Sequence, residues 1–311
     1  MTADLLSELT VRARRAAHPR TDDCACAAAP LAQRPDATVV RHGPTVAKAH
    51  APGSTAGDLA PRLALAAALP AVLLPPLSST PVALHGRPVT FWPYGTPVDP
   101  EDPDAAPWEA AGALLAALHR TPAPDGLPPM RGPAKAARAI ARLREGAPGH
   151  PAAGPVLRAW ETLPPWARDE RPMPDTTTVC HGDLHLGQLV RHPAPGGSWR
   201  LIDVDDLGTG VPAWDLARPA AWYACGLLPP EEWTRFLDAY HGADGPAVPP
   251  DGDPWSALDV PARALTAQTA ALAITKAVAA DRALDEVEQA LIDACARMCP
   301  VSPQLTTSFA K

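Results

Sequence analysis

The sequence contains no run of about 18 apolar residues free of charge and proline, so it offers no candidate membrane-spanning helix. No block of Lys and Arg exceeds the turn from Arg12 to Arg15, and the formal net charge is -7. A chain of that balance has little with which to neutralise a phosphate backbone, so nucleic acid is not an expected partner. The opening stretch MTADLLSELTVRARR lacks the long apolar core and small-residue cleavage site of a secretory signal, and the expected location is the cytoplasm. No cluster of histidines stands beside Cys24 and Cys26, or beside Cys295 and Cys299. Together with Cys180 and Cys225, these residues read as scattered reduced thiols and not as a zinc site.

What is present is enough for a sizeable core: 311 residues, 46% of them apolar, forming one large domain or two lobes sharing an interface. The 41 prolines and 21 glycines stay below the share that marks low-complexity disorder. Leu5, Leu6, Leu9 and Val11 predict a short amphipathic helix within the first 20 residues. Thr38 to Arg41, the pair His42-Gly43, and Pro44 to Lys48 predict a tight hairpin with Lys48 on its second strand. A helix from Ala56 to Ala68, capped by Ser54 or Thr55, should precede strands at Pro81 to Leu84 and Pro88 to Trp92. The acidic, proline-rich stretch Pro97 to Pro107 reads as a linker.

Beyond Pro107 helical spacing dominates. Helices are expected at Trp108 to His119, Lys135 to Glu145, Val156 to Arg168, Ala213 to Ala224, Pro230 to Tyr240, Ala257 to Ala280 and Leu284 to Met298. Two short strand-like pieces, Thr177 to Cys180 and Trp199 to Ile202, each run directly into acidic residues. The first opens into His181-Gly182-Asp183-Leu184-His185-Leu186-Gly187-Gln188. A carboxylate on a tight loop there can accept a proton from an attacking hydroxyl, and an amide oxygen five residues on can turn toward a metal. The second delivers Asp203, a hard oxygen ligand suited to Mg2+, with Asp205 and Asp206 behind it. A third piece, Gly210 to Ala217, turns into a helix with Asp215 in its first turn, where a carboxylate favours the positive helix end.

Taken in this order, the three pieces resemble the aminoglycoside phosphotransferase family, whose relatives include choline kinase, homoserine kinase and maltokinase. The family pattern H-G-D-x-x-x-x-N, I-D, G-x-P-x-x-D-L-A falls on residues 181–188, 202–203 and 210–217. The run H-G-D-x-H-L-G-Q looks locally like maltokinase. The resemblance implies an α+β, protein-kinase-like fold of two lobes. A small β-rich nucleotide-binding lobe would span 1–95, and a mainly helical catalytic and acceptor-binding lobe 96–311. It further implies ATP, or GTP as the alternative, and Mg2+ as cofactors. Asp183 would be the catalytic base, Gln188 and Asp203 the metal ligands, and Lys48 the contact to the nucleotide phosphates. Trp92 and Tyr94 fall on the hinge that receives adenine through backbone groups. His181, His185, Asp205 and Asp215 would support the site, with His181 reading as a structural residue.

Three departures stand out. Gln188 replaces the usual asparagine, the helix Gly57 to Leu69 carries Asp58 but no glutamate to pair with Lys48, and no glycine occurs from Ala27 to Asp36. The leading expectation is a phosphotransferase acting on the hydroxyl of an antibiotic, sugar or amino alcohol. Glu231, Glu232, Asp238 and Asp244 suit a cationic acceptor and equally suit a solvated surface. A peptide-directed Ser/Thr kinase of natural-product biosynthesis and a catalytically silent binding module remain as alternatives, and the oligomeric state stays open.

Overall fold

In the computed structural model, residues 2–20 and 24–298 are described. A helix, α1 (Thr2–Ala17), precedes strands β1 (Ala28–Gln33), β2 (Thr38–His42) and β3 (Thr45–Ala49). After α2 (Ala56–Ala68) come β4 (Val82–Leu84) and β5 (Arg87–Pro93), completing an antiparallel sheet ordered β1-β2-β3-β5-β4. Pro30 sits in the edge strand β1, where its missing N–H costs no ladder bond. Gly43, at φ +55, closes the β2–β3 turn. Leu5, Leu9 and Ala13 recur every fourth residue on α1 and pack on Val40, Ala47, Ala49, Leu84 and Val89, forming a small core of their own. Burying Leu9 completely stabilises this contact by roughly 2 kcal/mol. Val11, expected on the same side, is instead 46% exposed.

The rest of the chain surrounds a second, larger core. It comprises β6 (Thr96–Pro97), α3 (Trp108–His119), α4 (Gly132–Gly146), α5 (Ala153–Glu161), β7 (Thr178–Cys180), β8 (Leu189–His192), β9 (Ser198–Leu201), β10 (Gly208–Gly210), α6 (Ala213–Ala224), α7 (Pro230–Gly242), α8 (Trp255–Ala279) and α9 (Glu286–Met298). The 25-residue α8 is the central post, packed by α4, α5, α6 and α9, while α3 and α7 pair beside it. Helix α5 stops at Glu161, seven residues short of the expected end, because Pro164 and Pro165 cannot continue the ladder. Helix α2 is capped by Thr55, whose Oγ1 accepts the Asp58 N–H at 3.1 Å, and its Leu59, Leu63, Leu65 and Ala66 belong to the larger core. The segment following it pairs with β9: Leu74 N–H donates to Leu201 O (2.8 Å) and Leu201 N–H to Val72 O (2.9 Å). The β-rich and helical parts are thus sewn together beside the acidic motifs. Among the described residues no helix is long and apolar enough to cross a membrane.

The described cysteines are all free thiols, and two of them have histidine neighbours that local spacing does not show. His18, just past α1, and His42, ending β2, are brought by the fold to Cys24 and Cys26. A reading of local spacing misses them because the sheet, not the sequence, makes them neighbours. Cys299 lies outside the described residues.

Candidate active site

Two short antiparallel pairings assemble the acidic motifs. β7 pairs with β10 through Cys180↔Gly208, so the loop leaving β7 and the turn entering β10 run side by side. Gly182 is needed at the closest approach: it has φ +84, and an added Cβ would sit 2.4 Å from Asp206 O. The hairpin β8–β9 turns between His192 and Ser198, so its open end, at the pair Leu189↔Leu201, brings Gln188 and Asp203 out on the same side. Gln188 is buried, and its carbonyl accepts the Ile202 N–H at 2.9 Å, so it lies one residue from the start of the acidic turn. Asp203 itself adopts left-handed backbone (φ 64), a conformation that costs a non-glycine residue energy and recurs at functional sites.

Asp215 fixes the loop. Its side chain is fully buried at the start of α6, where it accepts the backbone N–H groups of His181 (2.5 Å) and Gly182 (2.7 Å). His119 Nε2 donates to it at 3.0 Å, Tyr240 OH bonds His119 Nδ1 at 2.7 Å, and Ala247 N–H donates to Tyr240 OH at 2.8 Å. Every partner in this chain is a hydrogen-bond donor or relay on rigid backbone or a buried ring. His181 Nε2 donates to Ile202 O at 2.8 Å, tying the Asp183 loop to the Asp203 strand.

Lys48 reaches the site by strand alternation. On β3, Thr45, Ala47 and Ala49 are buried, Ala47 and Ala49 against α1, so Val46 and Lys48 face the opposite side of the sheet. There Lys48 Nζ donates to Asp203 Oδ1 (2.7 Å) and pairs with Asp205 Oδ2 (3.0 Å). Burial alone would depress the ammonium, but the two carboxylates outweigh it and hold Lys48 above its usual range. Asp205 is driven far below the ordinary carboxylate range: desolvation opposes ionisation, and Lys48 with His50 more than compensates. His50 Nδ1 lies 2.8 Å from Asp205 Oδ1, and its Nε2 contacts Thr90 Oγ1, which also accepts the Trp92 indole N–H. Lys48, which has no glutamate to meet on α2, is thus paired by the acidic turn. α2 presents a cation instead: buried Arg62 donates through Nε to Leu207 O (2.7 Å).

Asp183 lies in a second charged cluster. Lys135 Nζ contacts its Oδ2 at 2.5 Å and Arg218 Nη2 its Oδ1 at 2.9 Å; Lys135 also reaches Asp206 Oδ2 (3.0 Å), while Arg131 Nε approaches Asp206 Oδ1 at 3.3 Å. Desolvation would raise the Asp183 carboxyl, yet Lys135 and Arg218 hold it below its ordinary value. Sequence reasoning missed Lys135, Arg218, Arg131 and His50. Arg218 had a signal, since three residues past Asp215 it shares that helix face. Lys135 had only its rarity, as one of four lysines in the chain.

Tyr94, expected on an adenine-receiving segment, is placed in packing contacts. Tyr94 N–H donates to Pro44 O (2.7 Å), its carbonyl accepts His192 Nδ1 (3.3 Å), and the Arg41 guanidinium stacks 3.5 Å above its ring. A divalent cation fits the acidic turn by donor chemistry. Asp203 is 36% exposed, Lys48 and the Asp205 N–H occupy only its Oδ1, and Oδ2 has no hydrogen-bond partner among the described residues. The chain contains no asparagine, and Gln188, whose backbone carbonyl is hydrogen-bonded to Ile202 beside Asp203, carries the amide of this motif.

The fold is shared with known proteins. Similar solved structures include a choline/ethanolamine kinase family protein from Mesorhizobium loti (17% identity, 98% of this chain and 97% of that one, TM-score 0.58). Another is the macrolide 2'-phosphotransferase MphH from Brachybacterium faecium (18%, 95% and 99%, TM-score 0.51). A third is a thermostable mutant of the aminoglycoside phosphotransferase APH(4)-Ia in ternary complex with AMP-PNP and hygromycin B (14%, 93% and 98%, TM-score 0.59). At such identities they establish the protein-kinase-like fold. No curated protein matches the sequence at a significant level. The family model described as "Phosphotransferase enzyme family" matches residues 31–258, well over half of the chain, so the protein belongs to the APH phosphotransferase family and is a phosphotransferase with an alcohol group as acceptor.

Proposed function

We propose that the protein transfers the γ-phosphate of ATP, with GTP as the alternative donor, to a hydroxyl of a small molecule in the cytoplasm: an antibiotic, a sugar or an amino alcohol. Residues 1–95 hold the nucleotide and 96–311 carry the catalytic and acceptor-binding groups. The carrying observation is the pairing of Lys48 with Asp203 and Asp205 across the junction of the β-rich and helical parts. It supplies what the absent glutamate would, and so supports an active enzyme over a silent binding module.

In this reading Asp183 orients the acceptor hydroxyl and takes its proton late, since its depressed basicity suits placement more than early abstraction. Lys135 and Arg218 sit on the same carboxylate and are positioned to bear on charge developing at the transferred phosphoryl group. Asp203, through its free oxygen, and Gln188 would hold Mg2+, which supplies charge neutralisation on the phosphates when bound. Lys48 steadies that carboxylate and contacts the nucleotide, while the segment ending in Trp92 and Tyr94 lies against adenine. His181, His185, Asp205 and Asp215 shape the loops around it.

The test is nucleotide-dependent thermal shift with ATP or GTP, with and without Mg2+, on wild type and Asp203→Ala, followed by an acceptor screen. A Mg2+-dependent stabilisation that vanishes in the variant is expected; no shift at millimolar nucleotide would sink the reading, because a ligand of the folded state must stabilise it.

A further inference from the structure

His18, Cys24, Cys26 and His42 come from three separate segments: the residue following α1, the link into β1, and the last residue of β2. One ligand-type atom from each lies within 4.8 Å of all the others. Cys24 Sγ is 3.1 Å from His42 Nε2, Cys26 Sγ is 3.3 Å from His18 Nε2, and the two imidazoles meet edge to face with centroids 5.6 Å apart. A tetrahedral zinc ion bound at about 2.3 Å to sulfur and about 2.0 Å to nitrogen has S···N edges of roughly 3.5 Å and an S···S edge of roughly 3.8 Å. The observed sulfur–nitrogen separations fall within a few tenths of an ångström of that figure.

We propose that these four side chains form a structural Cys2His2 zinc site that fastens the N-terminal helix to the sheet.

Three observations and one charge argument support it. Both thiols are free, so no disulfide competes for them. His42 is only 4% exposed, its Nδ1 has no hydrogen-bond partner among the described residues, and its Nε2 meets only the Cys24 sulfur, a weak partner for a buried ring. The β2–β3 turn closes on the cluster at Gly43, where a Cβ would sit 3.1 Å from Cys26 Sγ. Two thiolates balance the dication, so the site carries no net charge, and two protons leave the thiols on binding.

The donor set also separates this site from the acidic turn. Two sulfurs and two imidazoles in a tetrahedron select zinc, whereas Mg2+ requires oxygen. Alternation on β2 turns His42 to the α1 side of the sheet, and Val39, which pairs with Lys48, to the cleft side. The metal therefore acts on the anchoring of α1. Among its described residues that helix buries only Leu5, Leu9 and Ala13, with Leu6 half-buried beside them, a modest contact that a clip at its C-terminal end would secure.

The experiment uses the full chain, stripped with chelator and then reloaded. Zinc should return at one equivalent per chain, and Co2+ should give the sulfur-to-metal charge-transfer and intense d–d bands of a tetrahedral dithiolate site. Zinc should raise the melting temperature of the wild type and of the Cys225→Ser control. In the Cys24→Ser/Cys26→Ser variant the thermal gain should disappear and zinc affinity should weaken by at least about 100-fold. Equal zinc retention by that variant, or a cobalt complex lacking thiolate bands, would overturn the site. Should the double variant fail to fold, cobalt titration of the wild type decides by itself. None of these readouts depends on phosphotransfer, so the result stands apart from the kinase reading.

Discussion

Asp215 and Asp183 are both acidic residues of the same loop system, and they are satisfied in opposite ways. Asp215 is fully buried, held by two backbone N–H groups and by a histidine that is itself held by Tyr240. Asp183 keeps 14% exposure and is held by the tips of Lys135 and Arg218, two long side chains with soft torsions. Backbone donors cannot leave without unfolding the loop; cation tips can swing to a phosphoryl oxygen. In the proposed reading one carboxylate is scaffold and the other is available for chemistry, a difference that residue type alone does not reveal.

The largest test of that contrast is Asp183→Asn. The side chain keeps its shape and loses its capacity to accept a proton, so kcat should fall by about 10^2 to 10^4-fold while the nucleotide-dependent thermal shift is unchanged. Retained turnover would remove Asp183 from the reaction. Asp215→Asn should invert the pattern. An amide can accept one of the two backbone N–H groups but sets its NH2 against the other, so stability should drop by roughly 3 kcal/mol in denaturant melts. An Asp215→Asn protein as stable as the wild type would erase the distinction.

The comparison also marks what the sequence could disclose. The spacing of His181 to Gln188, Asp203 and Asp215 was legible because short loops at strand ends keep functional residues close in sequence, and the resemblance rests on those spacings. The hairpin with Lys48 and the helices at Ala56–Ala68, Trp108–His119 and Ala213–Ala224 were legible from period and caps. β8 and β10 were not: Gly208–Gly210 is mostly glycine, which is depleted in strands, and Leu189–His192 runs straight on from the polar loop with only two apolar residues. Lys135 and His50 were invisible for another reason: each meets its carboxylate across many residues of chain, through packing that no local pattern encodes.

A smaller effect is expected from Lys135→Met. The methionine fills the same space on α4 and removes the charge shared by Asp183 and Asp206. Because both carboxylates keep an arginine, Arg218 and Arg131, stability should change by less than about 1 kcal/mol. Activity should fall by about 100-fold if Lys135 serves the transferring phosphoryl group. An active Lys135→Met enzyme would return this lysine to the scaffold side of the comparison.

The smallest effect concerns His185, two residues past Asp183. Burial is the main cause that lowers its pKa from 6.5 to about 4; Asp183 pulls the other way, and Arg218, His181 and Lys135 push it further down. Its Nδ1 accepts the Gly187 N–H at 3.1 Å, a bond available only to the neutral ring. The folded state therefore binds fewer protons than the unfolded state between pH 6.5 and 4. The stability from the neutral ring is fully present above pH 6.5 and is lost as pH falls toward 4. Below about pH 4, Asp183 and Asp205, whose carboxyls are held down by cations, add a loss of the same sign. NMR titration of the His185 ring should give a midpoint near 4, and His185→Gln should flatten the fall in denaturant midpoint between pH 6.5 and 5. A midpoint at 6.5 would mean that the ring is solvated. The cations around Asp183 would then be free to face water and not each other, which would weaken the account of why that carboxylate is poised.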